Sequence, residues 1–193
     1  MYKTFNNGMI EIITGPMFSG KSEELLRRLR TLEYAKFTSL VIKPDFDTRF
    51  SNKKIVSRAG NEHITHTIKD IEEIYDLLKE KNYNAILIDE AHFFSNKLVD
   101  VANELANKGY LVIVAGLDLN FKMQPFENIA HLMALAERVT KLQAVCMVCQ
   151  HAASTSFRKV KVDEVNFLGD HSEYEARCRK CYLKGEAEKA KIK

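Results

Sequence analysis

Met9-Ile10-Glu11-Ile12-Ile13-Thr14-Gly15-Pro16-Met17-Phe18-Ser19-Gly20-Lys21-Ser22 runs from an apolar stretch into a glycine-bounded loop. Gly15 to Ser22 fit the pattern G-x-x-x-x-G-K-[ST]. Leu25, Leu26, Leu29 and Leu32 then follow at helical spacing. A strand, this loop and a helix in that order predict a phosphate-binding site. Glycines let the backbone close around phosphate oxygens, and the helix N-terminus adds positive potential. Lys21 is placed to reach the β/γ-phosphates of a nucleotide, and Ser22 to ligate Mg²⁺. Pro16, Met17 and Phe18 are apolar for a loop that faces only phosphate and water, which implies an apolar partner beside the site, such as a flat base.

Outward from the loop, apolar runs over Thr38–Lys43, Ala85–Asp89, Tyr110–Ala115 and Val139–Ala144 read as further strands. Asp70 with Glu73 resembles a capping box that opens a helix towards Lys81. Ser95 can cap a helix that stops at Gly109, and a shorter helix fits Ile129–Glu137. Strands alternating with helices predict an α/β fold, a parallel sheet of the phosphate-loop NTPase (RecA-like) kind. The pattern changes after Ala144, which divides the chain into an α/β domain over 1–144, a cysteine-bearing unit over 145–183 and a charged tail over 184–193 that is expected to fray.

The strand Ala85–Ile88 ends in Asp89 and Glu90. In phosphate-loop enzymes the acid at such a strand end holds the magnesium, which suits Asp89. Glu90 points to the other side, where it could take a proton from an attacking hydroxyl or water. Asp89-Glu90-Ala91-His92 also spells the box of a helicase class. Such motors stack two ATPase domains, and here one domain's length of chain surrounds the loop.

Cys146-x2-Cys149 and Cys178-x2-Cys181 form two pairs at metal-ligand spacing, the chain's four cysteines. Four thiolates surround Zn²⁺ tetrahedrally, and a closed site of this kind is structural. The 28 residues 150–177 between the pairs form a segment stapled at both ends. An anchored excursion of this length reads as a lid over a substrate.

The chain has 193 residues, 46% of them hydrophobic, with 29 basic and 26 acidic side chains for a net charge of +3. This length and composition suit one core with a small appendage. The mild charge gives no concentrated basic face for nucleic acid. The apolar runs are strand-sized, so no membrane span is expected, and no secretory signal is visible. Together these point to the cytoplasm, where paired cysteines more often bind metal than form disulfides.

Taken together the motifs resemble the type II thymidine kinases, whose zinc-stapled lasso closes over the nucleoside. The resemblance spans about Met9 to Tyr182. It rests on Gly15–Ser22 with Glu23-Glu24-Leu25, on Lys43-Pro44 with Asp47-Thr48-Arg49, and on Ile88-Asp89-Glu90. It continues through Ala115-Gly116-Leu117-Asp118, Lys141 to Cys146, and Tyr174 to Cys181. The resemblance implies transfer of the γ-phosphoryl group of Mg-ATP to the 5′-hydroxyl of thymidine or deoxyuridine, with Glu90 as base. Asp89 and Ser22 would serve the metal, and Lys21, Asp47 and Arg49 the phosphates. Met17, Leu117 and Tyr174 would surround the thymine methyl group, with Phe121 and Phe126 as an aromatic wall and Thr155 as a base contact. Val165, Asn166, Phe167, Leu168 and Gly169 would offer lasso backbone to the base. A homotetramer and feedback inhibition by thymidine triphosphate (dTTP) are also implied. His92 stands where the family usually has glutamine and is expected on the phosphate side. Glu127 and the Leu168-Gly169-Asp170 run also depart from the family pattern.

Overall fold

The chain is described from a computed structural model, which covers residues 8–45, 54–56, 62–165, 167 and 169–191, with 54–56 and 62–64 described by backbone alone. The five expected strands join two unexpected ones, β3 and β4, in a seven-stranded sheet among these residues, in the order β3-β4-β2-β5-β6-β1-β7. Its strands are β1 (Met9–Thr14), β2 (Ser39–Pro44), β3 (Lys54–Val56), β4 (Glu62–Ile68), β5 (Ala85–Ile88), β6 (Leu111–Gly116) and β7 (Arg138–Lys141). All adjacent pairs are parallel except β3 with β4.

Side chains on a strand alternate between faces, and both faces here are covered. Met9 and Ile13 of β1, Val41 of β2 and Leu87 of β5 share one cluster with Leu25, Leu26, Leu29 and Leu32 of α1 (Lys21–Tyr34). Ile10, Ile12, Ile42, Ile86 and Ile88 face the other way. They meet α3 (Lys97–Asn107) through Leu98, Val101 and Leu105, and α4 (Glu127–Leu135) through Ile129 and Leu132. α2 (Ile74–Glu80) closes the same side through Ile74, with the expected capping box at Asp70 and Glu73 just before it. Glu11 interrupts β1 with a carboxylate only 1% exposed. Arg138 on β7 lies 2.7 Å from it and Arg28 on α1 3.5 Å, so the buried charge is paired from both sides.

Several boundaries differ from the sequence reading. The apolar run Val139–Ala144 is two elements, β7 and then β8 (Ala144–Val145), which leaves the main sheet to pair with β9 (Ala152–Ala153). β3 and β4 carry polar residues on an outer sheet edge and gave no continuous apolar signal. α3 begins after Asn96 rather than after Ser95. Residues 184–191 of the stretch expected to fray belong to α5 (Arg179–Lys191), whose Lys189 reaches back to the carbonyl of Arg158 and to Glu186, the latter at 2.7 Å. β10 (Thr155–Arg158) and β11 (Tyr174–Arg177) form an antiparallel ribbon beneath that helix.

Leu87 is fully buried at the centre of the sheet. Leu87→Ala should therefore cost about 2–5 kcal/mol, the range for a cavity that neighbours fill poorly. Urea unfolding followed by circular dichroism measures it, and a loss under about 1 kcal/mol would contradict this packing.

Candidate active site

Parallel strands β5, β6 and β1 are neighbours, so their C-terminal ends open on one crevice, where ligands bind in sheets of this type. The loop after β1 enters that crevice. Gly20 is the N-cap of α1 and takes φ 82°, a left-handed conformation that suits glycine. Phe18 takes φ 64° without that freedom. Ser19 Oγ donates to the Pro16 carbonyl at 2.8 Å, and Lys21 Nζ donates to the same oxygen at 2.8 Å. These two bonds curl the loop around the ammonium. Burial lowers the pKa of Lys21, opposed by the nearby carboxylates of Glu90, Asp89, Asp118 and Glu23.

Asp89 and Glu90 follow β5 as expected. Asp89 is buried, and its Oδ1 accepts the Glu90 N–H at 2.9 Å. That bond holds Glu90 at φ 49°, outside the range an L-residue prefers. A non-glycine residue in this region costs about 1–3 kcal/mol and marks a functional position more often than a framework one. Asp118, at the end of β6, is also buried and pairs with Lys141 at 2.7 Å.

His92, expected on the phosphate side, has described contacts to Glu90 and Leu117. Its buried ring lies 3.7 Å from Glu90 through Nδ1, and that atom accepts the Leu117 N–H at 3.3 Å. Phe93 and Phe126 pack against the imidazole with centroids at 4.2 and 4.9 Å. His92 thus spans from Glu90 to Leu117 and Phe126, two residues of the expected base pocket.

The second unit sits on the loop. Met17 N–H donates to Ser156 Oγ at 3.0 Å, and Phe18 stacks on His171 with centroids 4.0 Å apart and planes at 15°. Thr155, expected to contact a base, lies on β10 of the ribbon. Its buried hydroxyl donates to the Arg177 carbonyl at 2.7 Å, across the β10–β11 ribbon. Because a strand alternates sides, it is Ser156, one residue on, that faces the loop. Tyr174 is buried, and its hydroxyl donates to the Phe167 carbonyl at 2.9 Å. Phe121 lies under the guanidinium of Arg158, 3.6 Å from its ring centroid. Asp47, Arg49, Asn166 and Leu168 lie outside the described residues.

The four cysteines converge. Their sulfurs all lie within 4.8 Å of one another, a set that could hold one metal ion. Cys149 and Cys178 Sγ are 3.6 Å apart, far beyond a disulfide and close to the edge of a sulfur tetrahedron around zinc. Burial pushes the Cys146 thiol up, but backbone N–H groups of Cys178, Cys149 and Val148 outweigh it and bring it down to about 6. The cluster ties β8 to the start of α5, so both ends of 150–177 are held together.

A glycine-bounded loop capping a helix, beside an acidic strand end on a parallel sheet, defines a phosphate-loop nucleotide-binding protein. The thymidine kinase family model matches residues 8–182, and the chain belongs to the thymidine kinase family. A thymidine kinase of Metamycoplasma arthritidis (strain 158L3-1) is 67% identical over 193 residues, covering 100% of both chains. One of Mesomycoplasma hyopneumoniae (strain 7448) is 52% identical over 182 residues, covering 94% of this chain and 99% of its own. Among solved structures, the genome packaging NTPase B204 from Sulfolobus turreted icosahedral virus 2, in complex with sulfate, has TM-score 0.46 and 16% identity, covering 74% of this chain and 76% of that one. The family assignment retires the helicase reading of Asp89–His92.

The His92 contacts generate a test. In His92→Gln a side-chain carbonyl can accept the Leu117 N–H in place of Nδ1, so thymidine affinity should hold within about threefold. In His92→Ala the N–H loses that acceptor, at a cost of about 1–3 kcal/mol. Thymidine affinity should then fall by roughly tenfold or more, with ATP affinity less affected. Calorimetric titration of each ligand decides it, and an Ala variant that loses only ATP binding would put His92 back on the phosphate side.

Proposed function

We propose that this kinase transfers the γ-phosphoryl group of Mg-ATP to the 5′-hydroxyl of thymidine and of deoxyuridine, for salvage of DNA precursors. The observation that carries the reading is the Asp89–Glu90 strand end facing Lys21, in a chain of the thymidine kinase family. Glu90 accepts the hydroxyl proton as the new oxygen–phosphorus bond forms. Asp89 and Ser22 hold the magnesium that arrives with ATP. Lys21 and the loop Gly15–Ser22 stabilise charge on the transferring group, joined by Asp47 and Arg49. Little covalent chemistry falls to the protein, so the rate comes from positioning and charge stabilisation.

The base lies between the loop and the second unit. Met17, Leu117 and Tyr174 surround its 5-position, Phe121 and Phe126 form the wall, and residues 165–169 present backbone. Ser156, tied to the loop, joins the residues the sequence reading named, and His92, named there for the phosphate side, is tied to the base end. The four cysteines hold a structural zinc ion, supported by the convergence of their sulfurs. That ion supplies no chemistry to the transfer. It fixes both ends of the lasso. A cytoplasmic setting fits this reading, since paired cysteines there more often bind metal than form disulfides. No helix among the described residues is long and apolar enough to cross a membrane. A homotetramer and inhibition by dTTP complete the reading.

Transfer of radiolabelled γ-phosphate to each nucleoside in turn tests the assignment. Labelled thymidine monophosphate is expected, and labelled product from another nucleoside alone would overturn it. Glu90→Gln keeps the shape but cannot take a proton. Turnover should fall roughly 10²–10⁴-fold while thymidine binding stays near normal. Near-normal turnover would remove Glu90 from the mechanism.

One zinc per chain is expected by metal analysis of protein purified under reducing conditions. Cys178→Ser should weaken thymidine binding more than ATP binding, because it frees one end of the lasso. Equal loss of both would mean that the cluster supports the whole fold rather than the lasso.

A further inference from the structure

Arg158 ends β10 with a side chain only 1% exposed. A guanidinium carries five N–H donors and cannot shed its charge in a protein. Here each donor has an acceptor. Nε donates to the Tyr174 hydroxyl at 2.9 Å, and one Nη2 hydrogen goes to the same oxygen. Nη1 donates to the Val162 and Glu164 carbonyls, both at 2.7 Å. Nη2 also donates to the Val165 carbonyl at 3.4 Å. The planar faces are used as well, with Phe121 at 3.6 Å and Tyr174 and Phe167 at 5.1 and 5.3 Å.

Among the described residues none of these partners is a carboxylate. A buried cation is tolerated only where its hydrogen bonds are satisfied, so the charge itself demands carbonyl oxygens. The carbonyls that answer come from one stretch, residues 162–165. Tyr174 extends the set by donating to the Phe167 carbonyl. Gly169 closes it, since a Cβ there would come within 2.8 Å of the Tyr174 ring. Residues 162, 164, 165, 167 and 169 are therefore gathered around Arg158 and Tyr174. Alternation on β10 sets Ser156, bonded to Met17 of the phosphate loop, on the same side as Arg158.

We propose that Arg158 is a positioning residue for nucleoside recognition: it shapes the lasso backbone that meets the base, and so sets thymidine affinity without touching thymidine. The proposal rests on the reading that residues 165–169 contact the base. The planar fork is required. Lysine keeps the charge but has three donors on a tetrahedral centre and cannot serve 162, 164, 165 and Tyr174 together.

The test is steady-state kinetics of Arg158→Lys in the full-length protein, with zinc content and melting temperature measured alongside. Losing one or two charge-assisted bonds should raise the thymidine KM about 10- to 100-fold. The ATP KM should stay within about twofold, with one zinc retained. Tyr174→Phe keeps the ring and removes the relay to Phe167. It should raise the thymidine KM about three- to tenfold, and it carries the test if Arg158→Lys does not fold. A thymidine KM within twofold of the parent in the variant that folds overturns the proposal. So does a parallel rise in both KM values with a fallen melting temperature, which marks a general strut. Gly169→Ala separates this proposal from the reading beneath it. If Gly169→Ala raises the thymidine KM and Arg158→Lys does not, the segment reads the base without Arg158. If neither does, the segment does not read the base.

Discussion

Strand order is the constraint on which the rest depends. Placing β6 between β5 and β1 brings three chain segments, far apart in sequence, to one edge of the sheet. The loop after β1, the acids after β5 and the Leu117–Asp118 turn after β6 can meet only because these strands are parallel and adjacent. The register reinforces it. Thr14 pairs with Gly116, and Ile88 with Val114, so the strands end nearly level and their loops share a rim. Thr14 Oγ1 donates to the Gly116 carbonyl at 2.9 Å, locking two of those ends just below the site.

The second unit is joined to this rim through the phosphate loop itself. Met17 gives its N–H to Ser156, and Phe18, held at a positive φ, spends its ring on His171. The apolar loop residues that were odd for a phosphate site thus face the lasso. Anything that moves the lasso must disturb the loop, and anything that fills the loop acts on the residues beneath the lasso. The phosphate loop and the second unit therefore touch directly, through these two contacts.

The sequence was legible where one signal sufficed. The loop motif, the apolar runs of β1, β2, β5 and β6, the capping box at Asp70 and the cysteine spacing each carry their own local signature. It was silent where an interaction joins distant residues. Arg158 sits in Arg158-Lys159-Val160-Lys161, which reads as solvated charge, yet it is buried by carbonyls from a loop with no pattern of its own. The bond from Met17 to Ser156 has no local signal either, because it joins residues 139 apart in sequence. His92 was read from its distance to Glu90 along the chain, whereas its acceptor role depends on Leu117, 25 residues away. The edge strand β3 and its neighbour β4 lack the apolar run that marks a buried strand.

Electrostatics explains why so strained a corner is kept. Asp89, Glu90 and Asp118 crowd around the ammonium of Lys21, which burial alone would push towards neutrality. The carboxylates oppose that push, and the phosphates of a bound nucleotide would oppose it further. The groups this lysine would serve thus favour its charged form against burial. Partial burial also makes its Coulombic interactions stronger than they would be in water. The same crowding makes an excess of negative charge that a divalent cation relieves. Glu90 must face this cluster and still leave room for a hydroxyl, and a relaxed backbone would turn its carboxylate elsewhere. The Asp89 to Glu90 N–H bond, made by the residue assigned to the metal, holds the base in its strained conformation. In the proposed reading one bond therefore positions both the metal-holding carboxylate and the base.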